Sequence, residues 1–172
     1  MLDLETLGTA PGSVILSIGA CDIDCLSDDF LRFIDPASAL AAGLTCDLET
    51  LTWWLRQPAY VRAQLSREGE PLTGVLRSFA RWLGPEPVDE IWAKGASFDF
   101  PLLLAAYHAV QERSPWVYSR ERCFRTMAAQ FPGLEPKRAG MVLHFARDDA
   151  LHQAHWLRRI ERRVKNARRL RT

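Results

Sequence analysis

The sequence predicts an α/β fold built on a mixed β-sheet. Two observations carry this expectation. Three short apolar segments separated by turn signals open the chain, the pattern of an antiparallel meander. Segments of helical and strand period then alternate to the C-terminal end. With 172 residues, 48% of them hydrophobic and 25% charged, a single domain over residues 1–172 with a full core is expected.

Leu2–Thr6 reads as the first strand. Ala10-Pro11-Gly12 is a turn signal, and the β-branched run from Val14 to Ile23 reads as a central second strand. Asp24–Asp28 turns the chain into a third strand, Phe30–Ile34. Pro36–Asp47 is expected to be loop, with enough alanine for a short helix. Thr50 is the expected cap of a helix over Leu51–Gln57, and Pro58 either breaks that helix or opens the next. Leu72, Val75, Leu76, Phe79 and Leu83 mark one face of a helix over 72–83, ended by Gly84-Pro85-Glu86-Pro87. Val88–Ala93 is a fourth strand and Gly95-Ala96-Ser97 the turn after it. A helix follows over 98–110, with Pro101 near its first turn. A short fifth strand near Arg122–Phe124 leads into a helix ending at Gln130. The turn-rich stretch 131–147 is expected to be a mobile loop, and a last helix starts near Asp148.

No apolar run approaches the length of a membrane span. Asp3 and Glu5 stand where a secretory leader would need basic residues. Four cysteines without a C-x-x-C pair suggest reduced thiols in a cytoplasmic protein. The net charge of +1 points to no partner by itself. Its distribution does: in the segment 158–172, Arg158, Arg159, Arg162, Arg163, Lys165, Arg168, Arg169 and Arg171 face Glu161 alone. Such a basic C-terminal segment suits phosphate contact, although basic residues also suit any helix C-terminus.

Asp3 and Glu5 carry the first chemical signal. Strand side chains alternate, so both carboxylates fall on one face while Leu2 and Leu4 fall on the other. Adjacent anions repel and raise each other's pKa unless a cation sits between them, and a divalent metal bound by hard oxygens is such a cation. Asp99 stands at a strand–loop–helix junction, where it could equally cap a helix. Asp149 lies in the first turn of the last helix, where an acid also offsets the helix dipole. His144 precedes it in the loop. Each is a weak signal alone, and their order along the chain is a stronger one.

That order, Asp3-x-Glu5, then Asp99 in Gly95-Ala96-Ser97-Phe98-Asp99, then His144 and Asp149, resembles the histidine branch of the DEDD exonuclease superfamily. The phrases Leu2-Asp3-Leu4-Glu5-Thr6-Leu7-Gly8-Thr9 and Ile15-Leu16-Ser17-Ile18-Gly19-Ala20 are similar to its phage-type 3′→5′ exonucleases. So are Trp53-Trp54-Leu55-Arg56-Gln57, Arg122-Cys123-Phe124-Arg125-Thr126 and Asp149-Ala150-Leu151-His152-Gln153-Ala154. The other branch places a tyrosine four residues before the last aspartate, where this chain has Phe145. The group commonly carries asparagine after the Phe-Asp pair; here that position is Phe100.

The resemblance implies a ribonuclease H-like fold, a five-stranded mixed sheet flanked by helices. It also implies hydrolysis of DNA or RNA from the 3′ end with two Mg²⁺ or Mn²⁺ ions about 4 Å apart, releasing nucleoside 5′-monophosphates. On that pattern Asp3, Glu5 and Asp149 hold one metal, Asp3 bridges to the other, and Asp99 supports the second site. His144 takes the proton from the attacking water. Thr6, Leu7, Gly8, Ser97, Phe98, Trp54 and Arg125 are the expected substrate contacts. Leu7 would be an apolar wedge, Gly8 a close backbone approach and Phe98 a stacking platform. One of Trp53 and Trp54 belongs in the core and the other along the groove. His152 and His155 are expected on solvated helix surface. A homodimer stays open, as do two rival readings: a catalytically silent nucleic-acid-binding protein of the same fold and a small-nucleotide phosphohydrolase. Asp3 also lies so close to Met1 that the α-amino group falls near the site unless the chain begins further upstream.

Overall fold

The computed structural model describes residues 1–169. Strands β1 (Leu2–Thr6), β2 (Ile15–Cys21) and β3 (Asp29–Phe33) form the antiparallel meander. β4 (Ile91–Ala93) runs parallel to β1, and β5 (Glu121–Cys123) runs parallel to β4. The result is a five-stranded mixed sheet in the order β3-β2-β1-β4-β5, flanked by helices, consistent with a ribonuclease H-like fold. Every residue of β2 is buried, which accounts for its nearly unbroken apolar run. The strand is shorter than that run because the Val14 N–H donates to Thr45 and the Asp22–Asp28 pairing closes the turn.

The helices follow local chemistry with two shifts. α1 (Pro36–Ala41) forms within the expected loop because the Asp35 carboxylate accepts from the N–H groups of Ala37 and Ser38. α2 (Leu48–Leu55) is capped by Asp47 rather than Thr50; the carboxylate accepts from Glu49 N–H and from the Thr50 hydroxyl, and draws the helix start forward. Pro58 opens α3 (Ala59–Arg62), which tightens into a 3₁₀ turn over Ala63–Ser66. α4 (Leu72–Leu83) buries Leu72, Val75, Leu76 and Phe79, as its period predicts. α5 (Ala96–Ala109) begins inside the expected turn, directly after Gly95. α6 (Phe124–Ala129) follows β5, and α7 (Ala146–Arg169) closes the described chain. The stretch expected to be mobile is irregular but anchored: Val142 N–H donates to Asp148 at 2.8 Å, and the Gln64 amide donates to the His144 carbonyl.

Leu2 and Leu4 enter one core with Val75, Leu76 and Phe79 of α4 and Phe100 and Leu103 of α5. A second core joins Cys21, Trp92 and Phe124 to Ala150, Ala154 and Leu157 of α7. Gly19 makes that second contact close. It sits opposite Asp3 in the sheet, and a Cβ there would lie 2.1 Å from the Ala146 carbonyl carbon. The start of α7 therefore rests on β2 at the level of Asp3. The basic residues from Arg158 to Arg169 lie on α7, and Arg171 lies outside the described residues.

Candidate active site

The candidate ligands and their neighbours come from four chain segments that meet in a cleft of about 590 Å³. β1 supplies Asp3 and Glu5 on the face opposite Leu2 and Leu4, so strand alternation alone aims both carboxylates at α7. α7 supplies Asp149 and Gln153, adjacent on one helical face at i, i+4. The first turn of α5 supplies Asp99, whose Oδ2 accepts from Gly95 N–H at 3.3 Å. The segment before α7 supplies His144, in a left-handed conformation at φ +57°, and Arg138. Ligand atoms of Glu5, His144 and Asp149 all lie within 4.8 Å of one another.

Two pairings tie these segments together. Gln153 Nε2 donates to Asp3 Oδ1 at 2.8 Å. Arg138 Nη2 meets Asp149 Oδ1 at 2.6 Å, while its Nη1 is buried without a hydrogen-bond partner among the described residues. The His144 ring stands edge-on to Trp53, centroids 5.0 Å apart. Phe145 packs on Phe33 and lies under the Arg67 guanidinium, in an aromatic–cation stack.

The electrostatics of the cleft are those of crowded anions. Burial pushes Asp3 well above the usual carboxylate range, and Asp99, Glu5 and Asp149 push it further; Gln153 opposes them. Burial, then Asp149 and Asp99, raises Glu5 to about 8. Burial raises Asp99 to about 7 against hydrogen bonds from the Gly95 and Leu4 backbone and the charge of Arg125. His144 is pushed down by burial, and by Arg138, against the pull of Asp149. A set of hard carboxylate oxygens that hold protons this tightly, with one histidine in reach, fits a divalent cation.

A family model, the 3′-5′ exoribonuclease Rv2179c-like domain, matches residues 1–161. The chain belongs to that family. A comparison with curated proteins finds no match.

The structure brings Asp3, Glu5, Asp99, His144 and Asp149 into one cleft, along with Thr6, Phe98 and Arg125. Of the other substrate contacts expected from the sequence, Leu7, Gly8 and Ser97 lie outside the cleft lining, whereas Trp54 is part of it. Leu7 is buried in the core beneath β1, since its backbone pairs with Val14 and turns the side chain inward. Gly8 lacks a side chain for the sake of Ser13, whose Oγ would lie 2.3 Å from an added Cβ. Ser97 is exposed on α5 and does not line the cleft. Of the tryptophan pair, Trp54 is the core member, 1% exposed with its indole N–H donating to Thr6 O at 2.8 Å. Trp53 presents its exposed ring to His144. His152, expected on the surface, is 1% exposed, its Nε2 3.0 Å from Pro136 O; His155 is exposed as expected. The Met1 amino group donates to Cys21 O and lines a different cavity.

Lys94, Arg138 and Gln153 line the cleft without having been singled out as site residues, and Trp53 is the exposed member of the tryptophan pair there. Gln153 lies one helical turn past Asp149, a spacing that the sequence does display. Lys94 follows β4 directly. Nothing in the sequence around Arg138 distinguishes it from other loop arginines.

Proposed function

We propose that this chain is a 3′→5′ exoribonuclease of the DEDD histidine branch, removing nucleoside 5′-monophosphates one at a time from single-stranded or frayed RNA ends. What supports the reading is the convergence of Asp3, Glu5, Asp99 and Asp149, drawn from distant parts of the chain, on one cleft beside His144. Asp3, Glu5, Asp99 and Asp149 would hold two divalent cations, Mg²⁺ or Mn²⁺. Bound there, such ions supply Lewis-acid stabilisation of phosphoryl oxygens and acidify water.

The chain's own residues account for the rest. Gln153 fixes Asp3 Oδ1 and leaves the other oxygen to the cleft. His144, held below the usual histidine value, is neutral near pH 7 and can accept a proton from water. Its position between Trp53 and the carboxylates confines where that proton is taken. Phe98, Arg125 and Lys94 line the cleft as one aromatic ring and two cations, the residue types that hold a terminal nucleotide by stacking and by phosphate charge.

Matched RNA and DNA oligonucleotides, single- and double-stranded, test the reading with Mg²⁺ and Mn²⁺ present. Single-nucleotide products from the 3′ end of RNA are expected. Asp3→Asn should abolish them, because a neutral amide replaces an anionic ligand. His144→Ala should lower turnover by about 10²–10⁴-fold while metal binding by calorimetry persists. Turnover at the wild-type rate in a folded Asp3→Asn protein would overturn the metal assignment. Loss of metal in His144→Ala would make His144 a ligand instead of the base.

A further inference from the structure

A second cavity, of about 460 Å³, adjoins the cleft. Residues 136–139 border both: Arg138 lines the cleft, while Pro136, Lys137 and Ala139 line the second cavity. α7 is shared in the same way. Asp149 and Gln153 face the cleft, and His152, His155, Arg158, Arg159 and Arg162 face the second cavity. The spacing of 152, 155, 159 and 162 is a helical stripe, so these side chains stack along one face.

The lining holds no acid. Lys137, Arg158, Arg159 and Arg162 form no ion pair among the described residues. Glu161, the acid of this stretch, lines a different cavity. Glu135 comes within 3.9 Å of His152 Nε2 but is not part of the lining. His152, 1% exposed, borders the cavity with its Nδ1 lacking any hydrogen-bond partner among the described residues. Four cations without counter-charges repel one another, and a polyanion laid across them relieves that repulsion while releasing its own counterions. Arg163 and Lys165 continue the basic run along α7 past the cavity, a track suited to a chain of phosphates.

We propose that this cavity is a second RNA-binding site, gripping phosphodiesters 5′ to the one being cleaved. The proposal rests on the 3′-exoribonuclease reading, which places the 3′ end in the adjoining cleft. Leu26 and Met141 add apolar surface to the lining, against which a sugar or base can lie. A substrate too short to leave the cleft gains nothing from the cavity, whereas a long strand is held by both.

The test is the charge-reversed variant Arg159→Glu/Arg162→Glu, at two exposed positions of α7, with circular dichroism to verify the fold. KM for a long single-stranded RNA should rise about tenfold or more with kcat little changed, and a dinucleotide should be cleaved as by wild type. Binding of the long RNA, read by fluorescence anisotropy without metal, should lose about 1.4 from its log–log salt slope, two phosphates at about 0.7 each. Equal losses on both substrates, or an unchanged salt slope, would overturn the proposal. If wild type cleaves neither RNA, the exoribonuclease reading fails by itself, and the anisotropy salt slope still decides whether the cavity binds RNA. Competition by inorganic phosphate or a mononucleotide at concentrations matching the RNA would overturn it in favour of a small-anion site.

Discussion

Trp53 and Trp54 are chain neighbours that the fold sends to different places. The Trp54 indole fills the core and donates to the Thr6 carbonyl at the end of the strand that carries Asp3 and Glu5. Trp53 meets the His144 ring at the cleft. Removing Trp54 leaves a large cavity and an unpaired carbonyl, so Trp54→Ala should destabilise the protein by about 3–5 kcal/mol. Trp53→Ala removes a ring that is 40% exposed and should change stability by less than half as much. It should instead lower kcat, because His144 loses the edge contact that positions it. Denaturant melts beside single-turnover kinetics separate the two effects. A Trp53→Ala protein with full activity would show that His144 is positioned by other means, such as the Gln64 contact to its backbone.

At the scale of elements, the cleft depends on how closely α7 rests on the sheet. Gly19 sets that distance, since any Cβ there meets the Ala146 and Arg147 backbone at 2.1 and 2.2 Å. Backbone atoms of a packed helix cannot swing aside as a flexible side chain can. Gly19→Val should therefore lift the start of α7, costing about 1–3 kcal/mol or more and carrying Asp149 away from Asp3 and Glu5. Metal affinity, measured by calorimetry, should fall with activity even though no ligand is mutated. Unchanged metal affinity would mean that α7 relaxes without moving Asp149. Arg138 and Gln153 are the other cross-element ties, one to Asp149 and one to Asp3. Asp149→Asn would consequently break a largely buried ion pair.

At the scale of the whole molecule, the carboxylate cluster links stability to pH and, under the proposed function, to metal. Asp3, Glu5 and Asp99 all have raised pKa values in the folded chain, Glu5 to about 8 and Asp99 to about 7. The folded state then binds more protons than the unfolded state between about pH 4 and pH 8, so stability falls as pH rises through that window. Without metal, Tm should drop steadily from pH 5 to pH 8.5 as the anions form. Mg²⁺ or Mn²⁺ should recover most of that loss at the alkaline end, where the ligands are deprotonated, and little of it at pH 5. Thermal scans with and without chelator across this range measure both. A Tm independent of pH in chelator would contradict the crowding of anions in the cleft.

Much of this was legible in the sequence because it is local. Alternation in Leu2–Thr6 fixes which face carries Asp3 and Glu5, and the period of Leu72–Leu83 fixes the face that α4 buries. The order of five acidic and histidine positions is legible along the chain, and its nuclease meaning comes from the family resemblance. What local pattern could not assign was the fate of residues whose partners lie far away in the chain. Leu7 and Gly8 follow the acids directly, yet packing against the core and Ser13 claims them. His152 lies on the last helix, where a solvated position was expected, yet it is buried against the Pro136 carbonyl. Arg138 and Asp149, like Gln153 and Asp3, meet only once α7 lies across the sheet. Secondary structure and the shared face of Asp3 and Glu5 follow from short-range periodicity, whereas Asp99, His144 and Asp149 became candidates through the family resemblance. Which side chains line the cleft depends on packing between elements, whose geometry no stretch of neighbouring residues encodes by itself.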